Sequence, residues 1–479
     1  MYLLMFFLKK NPTAEIRLFN TKGRMKEAFQ PLSKGQVKMY SCGPTVYDYA
    51  HIGNLRSFVL SDITRRVFEY AGYEVKQVIN ITDFGHLVGD ADDTEDKMLL
   101  GLRREGLALN MENMLSLADT YIDAFKEDIQ AMNVHTPDVL PRASDHVRGM
   151  VAYIETLLQK NYAYATSDGI YFDTAKFSDY GVLGGSGSEE HSRIGVSAEK
   201  KNQKDFALWK FNSEIGWDAP WGKGVPGWHI ECTAMSTRYL GKSFDIHTGG
   251  IDHIAIHHNN EIAQAESANN KPYARFWLHN EFVTFDSKRI GKSEGNAITL
   301  RQVVDKGISP LSYRYWLLTG HYRQSMNFTW DAVHAAQTAR ERALRAFSEL
   351  KGKGEVDEVY RKLFEGALYD DLNTPEAVAV MWRLIKDETV SQGSKKATLL
   401  LFDTVFGIGF LSLEKKADSA KISVSSEKEI PDDVQQLSDK REQARTEGNW
   451  NEADTLRAQI EALGFTVEDT PDGPVLRRT

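Results

Sequence analysis

Apolar and polar positions alternate through Gln36-Val37-Lys38-Met39-Tyr40-Ser41-Cys42, and the run stops at Gly43-Pro44-Thr45, so the pattern predicts a strand closed by a turn. From Ile52 to Tyr73 the apolar positions recur at helical intervals up to Gly72, and from Glu74 to Ile81 the strand pattern returns. Strand, helix and strand in this order predict an α/β fold with a doubly wound parallel sheet, in which ligands gather at the carboxyl ends of the strands. The second half reads differently. Asn327 to Leu350 and Val356 to Ile385 carry helical spacing with few breakers, which predicts an α-helical bundle. Leu413 to Ile430 is rich in Lys, Ser and Glu and reads as a linker; beyond it, Asp432 to Gly464 reads as a small helical unit followed by a short tail.

Composition narrows the class without naming a partner. Apolar residues make up 42% and charged residues 26%, which is the balance of a globular chain and excludes a membrane or disordered one. At 479 residues the chain has room for about three domains. The formal net charge of −9 gives no hint of a nucleic-acid partner, yet it excludes none, because steering depends on where charges lie. The apolar run Met1 to Leu8 precedes Lys9 and Lys10, the reverse of a secretory signal, and is too short to span a bilayer. A cytoplasmic location with no membrane partner is the expectation, and Met5 is an alternative initiator.

Only two cysteines occur, Cys42 and Cys232, which excludes a disulfide framework and points to metal ligation. Cys42 lies just before His51-Ile52-Gly53-Asn54, and Cys232 lies upstream of His257-His258-Asn259-Asn260-Glu261. Two thiolates with an imidazole and a carboxylate make a zinc donor set, although two buried thiols and a solvated helix face fit the same residues. His51 to Asn54 falls where the first helix begins, so a phosphate there would meet free amides, the positive dipole end and an imidazole; a plain cap with a surface histidine is the alternative. Lys288-Arg289-Ile290-Gly291-Lys292-Ser293-Glu294-Gly295-Asn296 is a basic loop with glycines on both sides of Lys292, suited to closing over a triphosphate or to being a solvated turn. Asp90, Asp92, Asp93, Glu95 and Asp96 crowd an acidic stretch without calcium-loop spacing, and read as a solvated turn.

The two nucleotide motifs together resemble those of the class I aminoacyl-tRNA synthetases, HIGH at His51 to Asn54 and KMSKS at Arg289 to Ser293. More narrowly, the chain resembles the cysteinyl-tRNA synthetases through MYSCGPTVYDYAHIGN at Met39 to Asn54, NITD at Asn80 to Asp83, DFALWK at Asp205 to Lys210, GWHIECTAM at Gly227 to Met235, FDIHTGGIDHIAIHHNNE at Phe244 to Glu261 and DLNTP at Asp371 to Pro375. The resemblance implies one zinc ion on Cys42, Cys232, His257 and Glu261, which accepts the thiolate of substrate cysteine. It implies catalytic roles for His51, Asn54, Arg289 and Lys292, and nucleotide contacts from Gly53, Gly249, Gly250, Asp252, Lys292 and Ser293. Thr82 and Trp228 match positions lining the cysteine pocket. L-cysteine, ATP with Mg2+, and tRNA(Cys) are the implied substrates and partners of a monomer. Zinc also accounts for specificity, since a pocket separates one methylene by only about 1–3 kcal/mol, whereas a thiolate-binding ion rejects serine.

Departures from the family pattern touch none of the four implied ligands. Asn54 stands for the second histidine of HIGH, Arg289 and Gly291 for lysine and serine of KMSKS, Asn259 for glutamate and Ile256 for proline. The implied organisation is an extension at 1–20, a Rossmann-type catalytic domain at 21–310 with an insertion at about 130–228, and a KMSKS-like loop and stem-contact region at 287–330. A helical bundle at 331–412, a linker at 413–430 and an anticodon-binding region at 431–479 follow. This last region carries six basic and eleven acidic residues, so bases would be read by a few donors, with Arg457, Arg477 and Arg478 as candidates, rather than by a phosphate-seeking surface. Two other activities fit parts of the pattern: a ligase joining cysteine to an amino sugar, whose members lack the terminal module, and a noncatalytic RNA- or metal-binding paralogue. His86, His247, His253 and His258 read as structural histidines.

Overall fold

The computed structural model describes residues 15–84, 97–185, 199–290, 296–415, 432–470 and 473–478, in two compact units, Met1–Phe410 and Leu411–Thr479. The first is built on four parallel strands, Gln36–Ser41, Glu74–Ile79, Phe244–Gly250 and Ala274–Asn280. Across the sheet the last strand lies outermost, then Phe244–Gly250, Gln36–Ser41 and Glu74–Ile79. The chain therefore leaves Gln36–Ser41 towards one edge and later returns on its other side. The switch in winding falls between Gln36–Ser41 and Phe244–Gly250, and the crevice beyond their carboxyl ends is where a doubly wound sheet binds ligand.

The predicted first helix runs Ile52–Tyr70 and ends earlier than the sequence suggests, because Ala71 caps it and Gly72 turns the chain at φ +92. The matching strand stops at Ile79, and Asn80 to Thr82 bond elsewhere: Gly43 N donates to Asn80 Oδ1, and Thr82 N to the Pro44 carbonyl. Within the expected insertion, Ala163–Ala165, Gly169–Phe172, Phe206–Phe211 and Gly224–Pro226 form an antiparallel sheet. Residues Arg17–Asn20, inside the expected extension, pair with Met25–Ala28 as a hairpin.

The bundle differs from its sequence pattern at one point. Val356 to Ile385 is two helices, Glu358–Tyr369 and Thr374–Lys386, separated where Asp371 and Leu372 adopt left-handed φ of 63 and 53. Neither is glycine, so the turn needs outside support. Asp371 supplies it, accepting from Phe19 N, Tyr322 Oη and Arg323 Nε at 2.6–2.8 Å. In the second unit, Asp432–Thr446 and Trp450–Ala462 pack around Ala444, Ala453 and Leu456, and the expected tail is a hairpin, Phe465–Thr470 with Gly473–Arg478. Among the described residues no helix is long and apolar enough to cross a membrane.

Candidate active site with a buried metal-binding quartet

Four segments bring Cys42, Cys232, His257 and Glu261 together. Cys42 follows the Gln36–Ser41 strand, Cys232 sits in the second turn of the helix Trp228–Leu240, His257 lies in a π-helical turn Ile254–His258, and Glu261 opens the helix Asn259–Asn269. One ligand atom from each falls within 4.8 Å of all the others, and all four side chains are buried. Zinc bonds of about 2.0–2.3 Å place tetrahedral ligands roughly 3.3–3.8 Å apart. His257 Nε2 is 3.1 Å and Cys42 Sγ 3.9 Å from Glu261 Oε1, so a small adjustment suffices. Two thiols, one imidazole and one carboxylate are a zinc donor set, and the quartet fits that ion.

The neighbours aim these ligands. Glu261 Oε2 is held by His247 Nε2 and Tyr273 Oη, each at 3.0 Å, which leaves Oε1 for the quartet. His257 Nδ1 meets His229 Nδ1 at 2.9 Å, which turns Nε2 inward. The π-turn keeps His258 beside the quartet as well, its Nε2 3.2 Å from Cys42 Sγ and its Nδ1 2.7 Å from His279 Nε2. Asn259, the departure noted above, closes this turn, its amide donating to Ile254 O and its oxygen accepting from Leu183 N. A second buried group, Cys42, His247, His258 and Glu261, shares two residues with the first. Burial opposes ionisation of Cys232, but its contacts with Cys42 and His257 draw the thiol down to about 6, while burial and Cys232 push Cys42 well up. Burial likewise opposes charge on Glu261 and His257, yet His247 and His257 hold the carboxyl far down, and Cys232 and Glu261 raise the imidazole to about 10. The four groups thus hold one another's charge in a buried place, Cys232 and Glu261 drawn down and His257 drawn up.

Gly43 was not singled out by sequence. A Cβ there would lie 1.5 Å from the Asn80 carbonyl oxygen, so the chain can pass from Cys42 to the Thr82 pairing only with glycine. Gly43→Ala is expected to destabilise the unit by at least about 1–3 kcal/mol, as overpacking does, and to lower bound metal; thermal denaturation with metal analysis checks both. His229, Tyr273, His279 and Glu231 were also passed over, and His247, His253 and His258 were read as structural. For His247, His253 and His258 the signal was the density of histidines between Asp245 and Asn259, which no periodicity explains.

His51 to Asn54 open the helix that follows Cys42 in the chain. His51 is the N-cap of Ile52–Tyr70, its Nδ1 accepting from Asn54 N at 3.2 Å while Asn54 Oδ1 accepts from His51 N at 3.2 Å. Asn54 therefore closes a reciprocal cap, and its amide N–H groups are what it can offer a ligand. A side chain at Gly53 would press to 3.0 Å on the His51 ring. Gly249 and Gly250 end the Phe244–Gly250 strand; a Cβ at Gly249 would meet His258 at 2.7 Å, and one at Gly250 the Asp252 carboxylate at 2.3 Å. Thr82 is buried, donating to Glu231 Oε2 at 2.8 Å, and the Trp228 ring centre lies 4.3 Å from that of His257. Arg289 ends the short strand Lys288–Arg289; Lys292, Ser293, His86 and the acidic stretch Asp90 to Asp96 lie outside the described residues.

Comparison with known proteins gives this geometry a family. Residues 28–338 match the class I (C) tRNA synthetase catalytic domain, residues 363–407 the DALR domain, and residues 427–475 the cysteinyl-tRNA ligase anticodon binding domain. The chain is 43% identical to cysteine--tRNA ligase 1 of Burkholderia lata, over 96% of each, and 36% identical to cysteine--tRNA ligase of Treponema denticola, over 95% of this chain and 98% of that one. Among solved structures, a methionyl-tRNA synthetase of Mycobacterium tuberculosis with methionyl-adenylate shares the fold at TM-score 0.52 and 15% identity, covering 78% of this chain and 90% of its own. An Agrobacterium radiobacter LeuRS–tRNA–LeuAMS complex does so at TM-score 0.58 and 11% identity, over 79% and 84%. The catalytic-domain match, the terminal module and relatives of this similarity over nearly the whole length establish that the chain belongs to the cysteine--tRNA ligase family of class I aminoacyl-tRNA synthetases.

Proposed function

We propose that this chain joins L-cysteine to ATP as cysteinyl-adenylate and passes the cysteinyl group to the 3′ end of tRNA(Cys), choosing its amino acid with one zinc ion on Cys42, Cys232, His257 and Glu261. The reading is carried by one observation: those four ligand atoms converge within 4.8 Å, beyond the carboxyl end of a central parallel strand. Held by these four residues, the ion would supply a thiolate-seeking centre that favours the ionised substrate thiol, which a serine hydroxyl could not match.

The chain's own groups then orient two displacements. In the first, a cysteine carboxylate oxygen bonds to the α-phosphorus of ATP as the bond to pyrophosphate breaks; in the second, a terminal ribose hydroxyl of tRNA attacks the carbonyl carbon, gives up its proton and releases AMP. Little covalent chemistry is asked of the protein, and position and charge do the rest. His51, the Asn54 side-chain amide and the positive end of the Ile52–Tyr70 dipole face the phosphate oxygens. Lys292, with Arg289 and Ser293, neutralises charge developing on the pyrophosphate, and Mg2+ accompanies ATP. Gly53, Gly249, Gly250 and Asp252 bind adenosine, while Thr82 and Trp228 line the amino-acid pocket. The expected protein is a cytoplasmic monomer whose unit beyond residue 431 reads the anticodon.

A cysteine-dependent ATP–pyrophosphate exchange assay followed by charging of tRNA(Cys) tests the reading. Cysteine should support exchange and serine should not, and cysteinyl-tRNA should accumulate. Adenylate formation without any tRNA ester would transfer the assignment to an amino-sugar ligase, against which the match at residues 427–475 already argues.

A further inference from the structure

Arg56 lies on the helix Ile52–Tyr70, just beyond the His51–Asn54 cap, and is only 3% exposed. A buried guanidinium requires acceptors, and those recorded among the described residues are main-chain carbonyls. Its Nη1 donates to Phe282 O at 2.7 Å; its Nη2 points to His321 O at 3.1 Å, Tyr322 O at 3.3 Å and Gln324 O at 2.6 Å. Phe282 leads into Val283–Phe285, and Gln324 into Met326–Phe328, the strand that pairs with it in parallel; Lys288–Arg289 pairs on its other side. The small sheet is turned by Asp286 and Ser287, both at positive φ, and carries the basic loop onward. One side chain thus grips both parallel strands of that sheet at their entry. The loop's far end returns to the same helix, with Ile52 N donating to Ile298 O at 2.7 Å and His51 bridged to Thr299.

We infer that Arg56 is a positioning residue for adenylate formation, fixing the basic-loop hairpin against the His51 helix so that the two phosphate-facing motifs meet ATP in one geometry. The inference deepens the ATP-activation reading above and rests on it. A planar fork of donors holds carbonyls from two separate segments in a fixed geometry; a lysine ammonium in the same place is a point charge on a shorter, flexible stem. The metal quartet hangs on other elements, so loss of the grip should misalign the nucleotide chemistry and leave cysteine binding alone. A misplacement of about 1 Å costs on the order of a hundredfold in rate.

The test compares full-length wild-type protein, Arg56→Lys and Arg56→Ala. Exchange kcat should fall by about a hundredfold in Arg56→Ala and by about tenfold in Arg56→Lys, methylguanidinium should restore part of the Arg56→Ala loss, and the dissociation constant of cysteine measured without ATP should stay within about twofold. Either of two results overturns the inference: an Arg56→Lys kcat within about threefold of wild type, or a parallel loss of cysteine affinity marking general destabilisation. Arg56→Lys keeps the test decisive should Arg56→Ala fail to fold. The wild-type control separates the two readings, since exchange that ignores cysteine there would end the parent assignment whatever Arg56 does.

Discussion

Cys232→Ser is expected to reduce cysteine-dependent ATP–pyrophosphate exchange by more than about a hundredfold, because changes one shell further out already cost roughly 10–100-fold in metal sites. The substituted hydroxyl keeps nearly the same volume in a fully enclosed place, so the fold has no cavity to answer for. What changes is the donor. A serine hydroxyl remains protonated where the Cys232 thiol is drawn down to about 6, after burial, by Cys42 and His257. The quartet would be left with Cys42, whose thiol is pushed up, His257 and Glu261 Oε1, one thiolate short of its donor set. Metal content should fall with activity, and Co2+ loaded in place of zinc should lose its thiolate charge-transfer absorption in the variant. Chelation of the wild type should reproduce the loss, and added Zn2+ should reverse it. Exchange at full rate in both the variant and the chelated protein would remove the ion from amino-acid selection.

The full quartet came from the family resemblance, and the residues alone raised it as one of two readings for a chemical reason. With two cysteines in the chain, each had to be explained, and thiols that do not pair are either core or ligands. His257 and Glu261, four apart, were readable as one face, and remain 3.1 Å apart although a π-turn joins the α-helix between them. The parallel sheet was legible because Gln36–Ser41 and the helix after it have clean periods. What holds the ligands in place was not legible, since Glu261 is fixed by Tyr273 and His247 from two different strands or their edges, and contacts between separate segments leave no periodic trace. The break at Asp371–Leu372 was hidden likewise. The backbone there takes a glycine-like conformation without glycine, and its support comes from Phe19, Tyr322 and Arg323, remote in sequence. The terminal hairpin was missed because its two six-residue strands, Phe465–Thr470 and Gly473–Arg478, have the same polar look as an unstructured end.

Asp62 illustrates the same limit with the largest expected cost in stability. It lies nearly three turns into the Ile52–Tyr70 helix, is 1% exposed, and faces two guanidiniums: Arg66 Nε at 2.8 Å and Arg314 Nη2 at 2.6 Å. Its other oxygen accepts from His135 N at 2.8 Å. The two arginines reach on to Thr404 O, Phe406 O, Met132 O and Asn133 O, so one carboxylate fastens the catalytic helix to the bundle and to the end of the helix Met111–Ala131. Asp62→Asn keeps the shape and removes the charge, leaving two buried cations without their anion; breaking such a group costs about 3–5 kcal/mol. Urea unfolding followed by tryptophan fluorescence reports on this unit, since eight of the nine tryptophans lie within Met1–Phe410. The pH dependence has a definite sign. Burial alone would raise the Asp62 pKa, but Arg314 and Arg66 hold it down to about 2, below an unfolded value near 3.8. A depressed carboxyl stabilises the fold fully above the unfolded pKa and loses that contribution as pH falls from about 4 towards 2, a difference on the order of 2–3 kcal/mol. The substitution should cost more than acid does, because acid titrates the carboxyl only where the rest of the protein is also gaining protons, whereas asparagine strands both guanidiniums at neutral pH. Wild-type stability should therefore fall across that window more steeply than that of Asp62→Asn. Equal slopes, or a neutral-pH loss below about 1 kcal/mol, would mean that the arginines are satisfied by their carbonyls alone and that the carboxylate is dispensable.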